Sequence, residues 1–105
     1  MGIHHIINEA DYRAQIRQAG RNLVLIRFFA TWCGHCTMVK PSIENLHNEF
    51  KGSVVFLEVD IDENGDITRQ EYVVGVPTFV FYKNNARVDV TTSEAKLREM
   101  IAKHK

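Results

Sequence analysis

A chain of 105 residues is long enough for one domain built on one core and too short for two, so a single domain over residues 1–105 is expected. Thirteen basic residues balance thirteen acidic ones, which leaves no excess charge to hold nucleic-acid phosphates or an anionic membrane surface. With 45% apolar and 25% charged residues and no apolar run long enough to span a bilayer, the composition is that of a soluble globular domain.

The first ten residues, MGIHHIINEA, have no basic n-region, and their apolar run stops at Asn8, so no signal peptide is expected. Gly2 lacks the Ser or Thr that myristoylation asks for at position 6, which is Ile6. A cytoplasmic monomer is the expectation. The β-branched stretch IHHII (3–7) predicts a first strand. Asn8 is a plausible N-cap for a helix that puts Tyr12, Ile16 and Ala19 on one face and stops at Gly20. NLVLIRFFA (22–30) is almost continuously apolar, as a strand covered on both faces must be, and Arg27 is its one charge. WCGHC (32–36) follows. From Cys33 to Phe50, Val39, Ile43, Leu46 and Phe50 recur at helical spacing, with a kink expected at Pro41.

SVVFLEV (53–59) predicts a strand, and NGDITRQEYV at best a small helix. VPTFVFY (76–82) and ARVDV (86–90) form a hairpin through the turn Asn84–Asn85. TTSE (91–94) reads as a capping box with Thr91 at the N-cap. A last helix then buries Leu97, Met100 and Ile101. The order β-α-β-α-β-α-β-β-α implies an α/β fold: a mixed five-stranded sheet with helices on both faces and an antiparallel hairpin at one edge.

The only two cysteines, Cys33 and Cys36, lie three positions apart between a buried strand and the first turn of a helix. A bridge closing so small a loop would stabilise little in the chain-entropy model. Free N–H groups and the helix dipole favour an anion there, and the thiolate is the reactive form of cysteine. Cys33, at the helix start, is expected to be the more exposed and to attack a partner's disulfide. Cys36, one turn deeper, then resolves the mixed disulfide. Trp32 either offers an apolar surface to the incoming chain or packs in the core.

Two metal readings compete. Zinc would need a downstream histidine pair at short spacing, but after His35 only His47 and His104 remain, far apart. DIDENGDITRQE (60–71) fits a calcium loop in isolation, with Asp60, Asp62, Asn64, Asp66, Thr68 and Glu71 at ligand positions and Gly65 at the turn. A calcium-binding module is therefore the alternative of another class, set against the β-rich stretch before the loop, where a helix is required.

The segments FFATWCGHCTMVKPSIENL, FLEVDIDEN and VGVPTFVFYKN, in that order and spacing, resemble the thioredoxin family over nearly the whole chain. The resemblance implies the thioredoxin fold and a protein disulfide oxidoreductase whose only redox group is the Cys33–Cys36 disulfide, with no other cofactor and no metal. It implies a cis peptide before Pro77 and a substrate groove formed by Trp32, Gly75, Val76 and Pro77. It also implies protein disulfides as substrates and thioredoxin reductase as electron donor, while His35 and the altered tail leave glutathione open as the donor instead.

The chain departs from the family at three places. His35 stands where most cytosolic thioredoxins carry proline and protein disulfide isomerases carry histidine. With Gly34 it completes the motif between the cysteines, and it raises an oxidase or isomerase alternative. Arg27 replaces a buried acid thought to move the inner cysteine's proton. Glu58 aligns with a position that is lysine in many bacterial members. Arg27 either pairs with Glu58 in reversed polarity, so that both tune the redox pair, or snorkels to solvent. Val90 and Thr91 occupy the region where most members have a glycine.

Overall fold

In the computed structural model, which describes residues 2–105, strand β2 (Leu23–Phe29) lies at the centre of a five-stranded sheet ordered β1-β3-β2-β4-β5. β1 (His4–His5) and β3 (Val54–Asp60) run parallel to β2. β4 (Thr78–Lys83) runs antiparallel to β2, and β5 (Ala86–Thr91) antiparallel to β4. The apolar run of β2 is explained by this position, because its successive side chains enter two different cores. Val24, Ile26 and Phe28 meet Tyr12 and Ile16 of α1 (Glu9–Gln18) and Ile67 of α3 (Gly65–Gln70). Leu23 and Leu25 meet Val39, Ile43 and Leu46 of α2 (Gly34–Phe50) and Leu97 and Ile101 of α4 (Leu97–His104). Each fully buried Leu, Ile or Phe contributes about 1.5–3 kcal/mol of transfer free energy.

Local signals set most boundaries. The Asn8 side chain accepts the Asp11 N–H at 2.8 Å and caps α1 as expected. α2 continues through Pro41, whose missing N–H leaves one carbonyl of the preceding turn without its helical partner. Asn84 and Asn85, at φ 53° and 63°, form the tight turn between β4 and β5.

Two expectations need correction. The first strand is only His4–His5, because the chain then buries Ile6 and turns toward the α1 cap. There is no capping box at 91–94. Thr91 ends β5, and its hydroxyl accepts the Ser93 N–H at 3.1 Å, a local turn that Ser and Thr readily form. A short 3-10 turn, Glu94–Lys96, then leads into α4.

Beneath α3 lies a polar group that the pattern of apolar residues does not reveal. The Glu71 carboxylate is buried and accepts the hydroxyls of Tyr12 and Tyr82, the latter at 2.6 Å, with Arg87 Nη1 at 3.2 Å on its other oxygen. Burial beside this carboxylate pushes the Tyr12 hydroxyl pKa well above its ordinary value. A buried charge so surrounded avoids the cost of an unpaired one.

Candidate active site

Strand β2 ends at Phe29, and within a few residues the chain starts α2. Cys33 is the N-cap of that helix, in extended backbone, and its Sγ accepts the Cys36 N–H at 3.1 Å. The cap position is normally taken by a side-chain oxygen; here sulfur fills it, so the free N–H groups of the first turn face the reactive atom. Cys33 and Cys36 form a disulfide. The burial order is as expected, though both are well covered: Cys33 is 6% exposed and Cys36 1%. Ala30 is buried with them, and Phe29, Ile61 and Val76 pack against the cluster.

The opposite wall comes from the loop before β4. The Val76–Pro77 peptide is cis, and the Val76 carbonyl oxygen lies 3.8 Å from Cys33 Sγ. Thr78 Oγ1 donates to the Gly75 carbonyl at 2.6 Å and pins this loop to the start of the strand. Gly75 is exposed, Val76 half-buried and Pro77 buried. Trp32 is 68% exposed, which removes the core-packing reading, and its indole N–H donates to Asp62 Oδ2 at 2.8 Å. The structure thus brings Trp32, Cys33, Cys36 and Val76 to one mouth. Gly34 and His35 are exposed on the first turn of α2.

Arg27 does not snorkel. It is 4% exposed and is the register partner of Glu58 across β2 and β3. Its Nη1 lies 3.7 Å from Glu58 Oε1, an ion pair longer than a hydrogen bond, and its Nε has no partner. The guanidinium stacks over the Phe29 ring, with Cζ 4.3 Å from the centroid, and Phe29 in turn packs on the cysteine cluster. Burial lowers the Arg27 pKa, against the opposing pull of Glu58 and Glu44. Arg27, Lys40, Glu44, His47 and Glu58 line a cavity of ≈ 560 Å³ between α2 and the sheet. Among the described residues no hydrogen bond joins Arg27 to either cysteine.

His5 escaped the sequence reading. Its Nδ1 lies 3.0 Å from Glu58 Oε2 and its Nε2 2.9 Å from Glu63 Oε1. A neutral imidazole has one N–H; two carboxylates on two ring nitrogens therefore demand the imidazolium. Hydrogen bonds to Glu58 and then Glu63 raise the His5 pKa accordingly. The Glu58 carboxylate thus lies between two cations, one buried and one at the surface.

The calcium reading fails on what its ligands are doing. Asp60 is buried, and its Oδ1 accepts the Asp62 N–H at 2.9 Å. Asp62 holds Trp32, Glu63 faces His5, the Asn64 amide donates to the Ile6 carbonyl at 3.4 Å, and Glu71 belongs to the tyrosine network. A strand, not a helix, precedes the loop. Among the described residues no group of three or more His, Cys, Asp or Glu is placed to hold a metal ion. No helix is long and apolar enough to cross a membrane.

One sulfur capping a helix and a second sealed beneath it can close into a disulfide as a partner's disulfide is reduced, and reopen when a thiol donor reduces the pair, so the fold and site define a thiol–disulfide oxidoreductase. Residues 3–105 match the family model described as Thioredoxin, and the chain belongs to the thioredoxin family. It is 43% identical over 96 residues to the thioredoxin of Gallus gallus, covering 90% of each chain. It is 38% identical over 104 residues to that of Ictalurus punctatus, covering 96% of this chain and 97% of the other. Among solved structures, Fasciola hepatica thioredoxin superposes with a TM-score of 0.93 at 36% identity, covering 98% of this chain and all of the other.

Proposed function

We propose that the protein is a single-domain, monomeric reductant of protein disulfides. The observation that carries this reading is the asymmetry of the pair: Cys33 Sγ lies at the helix N-terminus beside the Val76 carbonyl, and Cys36 is sealed behind it. In the reduced protein the Cys33 thiolate attacks one sulfur of a substrate disulfide, forming a mixed disulfide and expelling the other sulfur as thiolate. The Cys36 thiolate then attacks Cys33 Sγ, which closes the Cys33–Cys36 bond and expels the second substrate thiolate. Two electrons pass to the substrate, and a thiol donor, thioredoxin reductase or two molecules of glutathione, returns them. A cytoplasmic setting, where thiols are kept reduced, suits this direction. Trp32, Gly75, Val76 and Pro77 form the substrate groove, with the exposed peptide edge at Gly75–Val76 open to an extended chain.

The oxidase or isomerase alternative has only His35 in its favour. His35 acts as a tuning residue: exposed one position before Cys36 at the positive end of α2, it donates to or charges the reduced state. Arg27, held by Glu58, places a positive charge behind the cysteine cluster and lowers the Cys36 pKa, where an acid would accept its proton. The direct test is dithiol-driven insulin reduction. Cys33→Ser abolishes turnover, and Cys36→Ser accumulates a mixed disulfide with the substrate. If Cys33→Ser trapped the complex and Cys36→Ser turned over, the two roles would be reversed.

A further inference from the structure

Tyr72 is a bulky aromatic residue held at φ 59°, in the left-handed region that glycine adopts freely and L side chains avoid. The reason lies in how α3 stops. Glu71 is its C-cap, the Tyr72 N–H bonds the Arg69 carbonyl at 3.1 Å, and the Val73 N–H bonds the Thr68 carbonyl at 3.0 Å. Those two bonds are the complete Schellman ending, and Tyr72 occupies the position where glycine is the favoured residue. Nothing in the fold repays the substitution. The Tyr72 side chain is 84% exposed, and its ring and hydroxyl have no partner among the described residues.

The position has a second peculiarity. From Tyr72 to Pro77 the chain reads YVVGVP, without a charge, and Val74 is fully exposed. This stretch leads directly to the Val76 carbonyl beside Cys33 Sγ. Trp32, next to Cys33 in the chain, is exposed as well. The two segments that meet at the mouth, the one carrying Trp32 and the loop that begins at Tyr72, therefore both carry uncovered apolar side chains, the signature of a contact surface. Four residues separate Tyr72 from Val76, at most about 14 Å of extended chain. A substrate segment lying along the loop from Cys33 reaches the ring within four or five of its own residues.

We propose that Tyr72 is a specificity-determining residue: an aromatic platform that receives an apolar or aromatic side chain of the extended polypeptide segment next to the disulfide attacked by Cys33. The proposal rests on the reductant reading above. It explains why a left-handed position carries the one type of side chain that combines large contact area with few rotatable bonds.

The test compares wild type, Tyr72→Gly and Tyr72→Phe with two oxidants, insulin and bis(2-hydroxyethyl) disulfide, and measures urea unfolding of each protein. Tyr72→Gly relieves the backbone, so its unfolding midpoint rises. Its KM for insulin increases about 3- to 10-fold, the loss of one aromatic contact, while kcat stays within about twofold. Turnover of the small disulfide, which cannot reach the ring, is unchanged, and Tyr72→Phe behaves as wild type with both. A wild-type KM for insulin in Tyr72→Gly overturns the proposal. Failure of the wild type to reduce either disulfide would instead overturn the reductant reading.

Discussion

Glu58→Gln isolates the charge of one partner in the Arg27 pair while keeping its shape. At 3.7 Å, two unit charges attract by about 4.5 kcal/mol at an effective dielectric of about 20. The Glu58 side chain is 20% exposed, so water screens part of this and leaves about 2–3 kcal/mol to be lost when the carboxylate becomes an amide. What remains is a guanidinium 4% exposed, with an unbonded Nε and no counter-charge within reach but the more distant Glu44. Arg27→Met removes the cation and keeps an unbranched apolar chain over Phe29. No hydrogen bond is given up, so its stability falls within about 1 kcal/mol of wild type or above it. The double variant then unfolds close to Arg27→Met alone, lower only by the exposed His5 contact that Glu58→Gln also removes, with a coupling of about 2 kcal/mol. Urea unfolding of the four oxidised proteins at pH 7, followed by circular dichroism, gives the cycle. The reduced forms, titrated by NMR, give the Cys36 pKa, which rises in Arg27→Met as the positive charge goes. If Glu58→Gln lay within about 0.5 kcal/mol of wild type and the two changes added, the ion pair would contribute nothing. If the Cys36 pKa did not move in Arg27→Met, Arg27 would have no part in tuning the thiol.

Two further outcomes follow from residues near the site. His35→Pro lowers the reduction potential by tens of millivolts, part of the interval between about −180 mV for disulfide isomerase and about −270 mV for thioredoxin. Equilibration with glutathione measures it, and an unchanged or higher potential refutes the role of His35. The raised pKa of His5 links stability to pH: its contribution is fully present below the unfolded value near 6.5 and is lost as pH rises through the folded value. For so exposed a side chain the loss is about 0.5–1 kcal/mol. It shows as a fall in urea midpoint between pH 6 and pH 9 that is smaller in His5→Gln, and an equal fall in both proteins would remove His5 as its source.

What could be read in the sequence was whatever local chemistry dictates. The apolar run of β2, broken only by Arg27, announced a central strand, the spacing of Val39, Ile43 and Leu46 announced α2, and Cys33 at a helix start announced the outer sulfur. The Arg27–Glu58 pair was legible as one of two alternatives, because both residues sit in strands, and the register decides between them. His5 was not legible. Its role depends on β1 lying parallel to β3 with His5 opposite Glu58, a contact 53 residues apart with no local signal. Nor was Tyr72, since a left-handed helix ending is normally announced by glycine and this one is not. The calcium motif shows the reverse failure: a correct spacing of ligands whose oxygens and amides are committed elsewhere.

The hairpin turn at Asn84–Asn85 has a use in engineering. β4 starts one residue after Pro77 and runs for six residues, so the turn lies about 20 Å along the strand from the reactive mouth. Both asparagines are exposed, and exposed turn tips are where inserted chain is best tolerated. A fluorophore or displayed peptide spliced between Asn84 and Asn85 stands at the far end of the sheet from the sulfurs. Residues flanking the splice must accept positive φ, as asparagine and glycine do. Such a graft would let the protein be immobilised or tracked while its disulfide remains free to react.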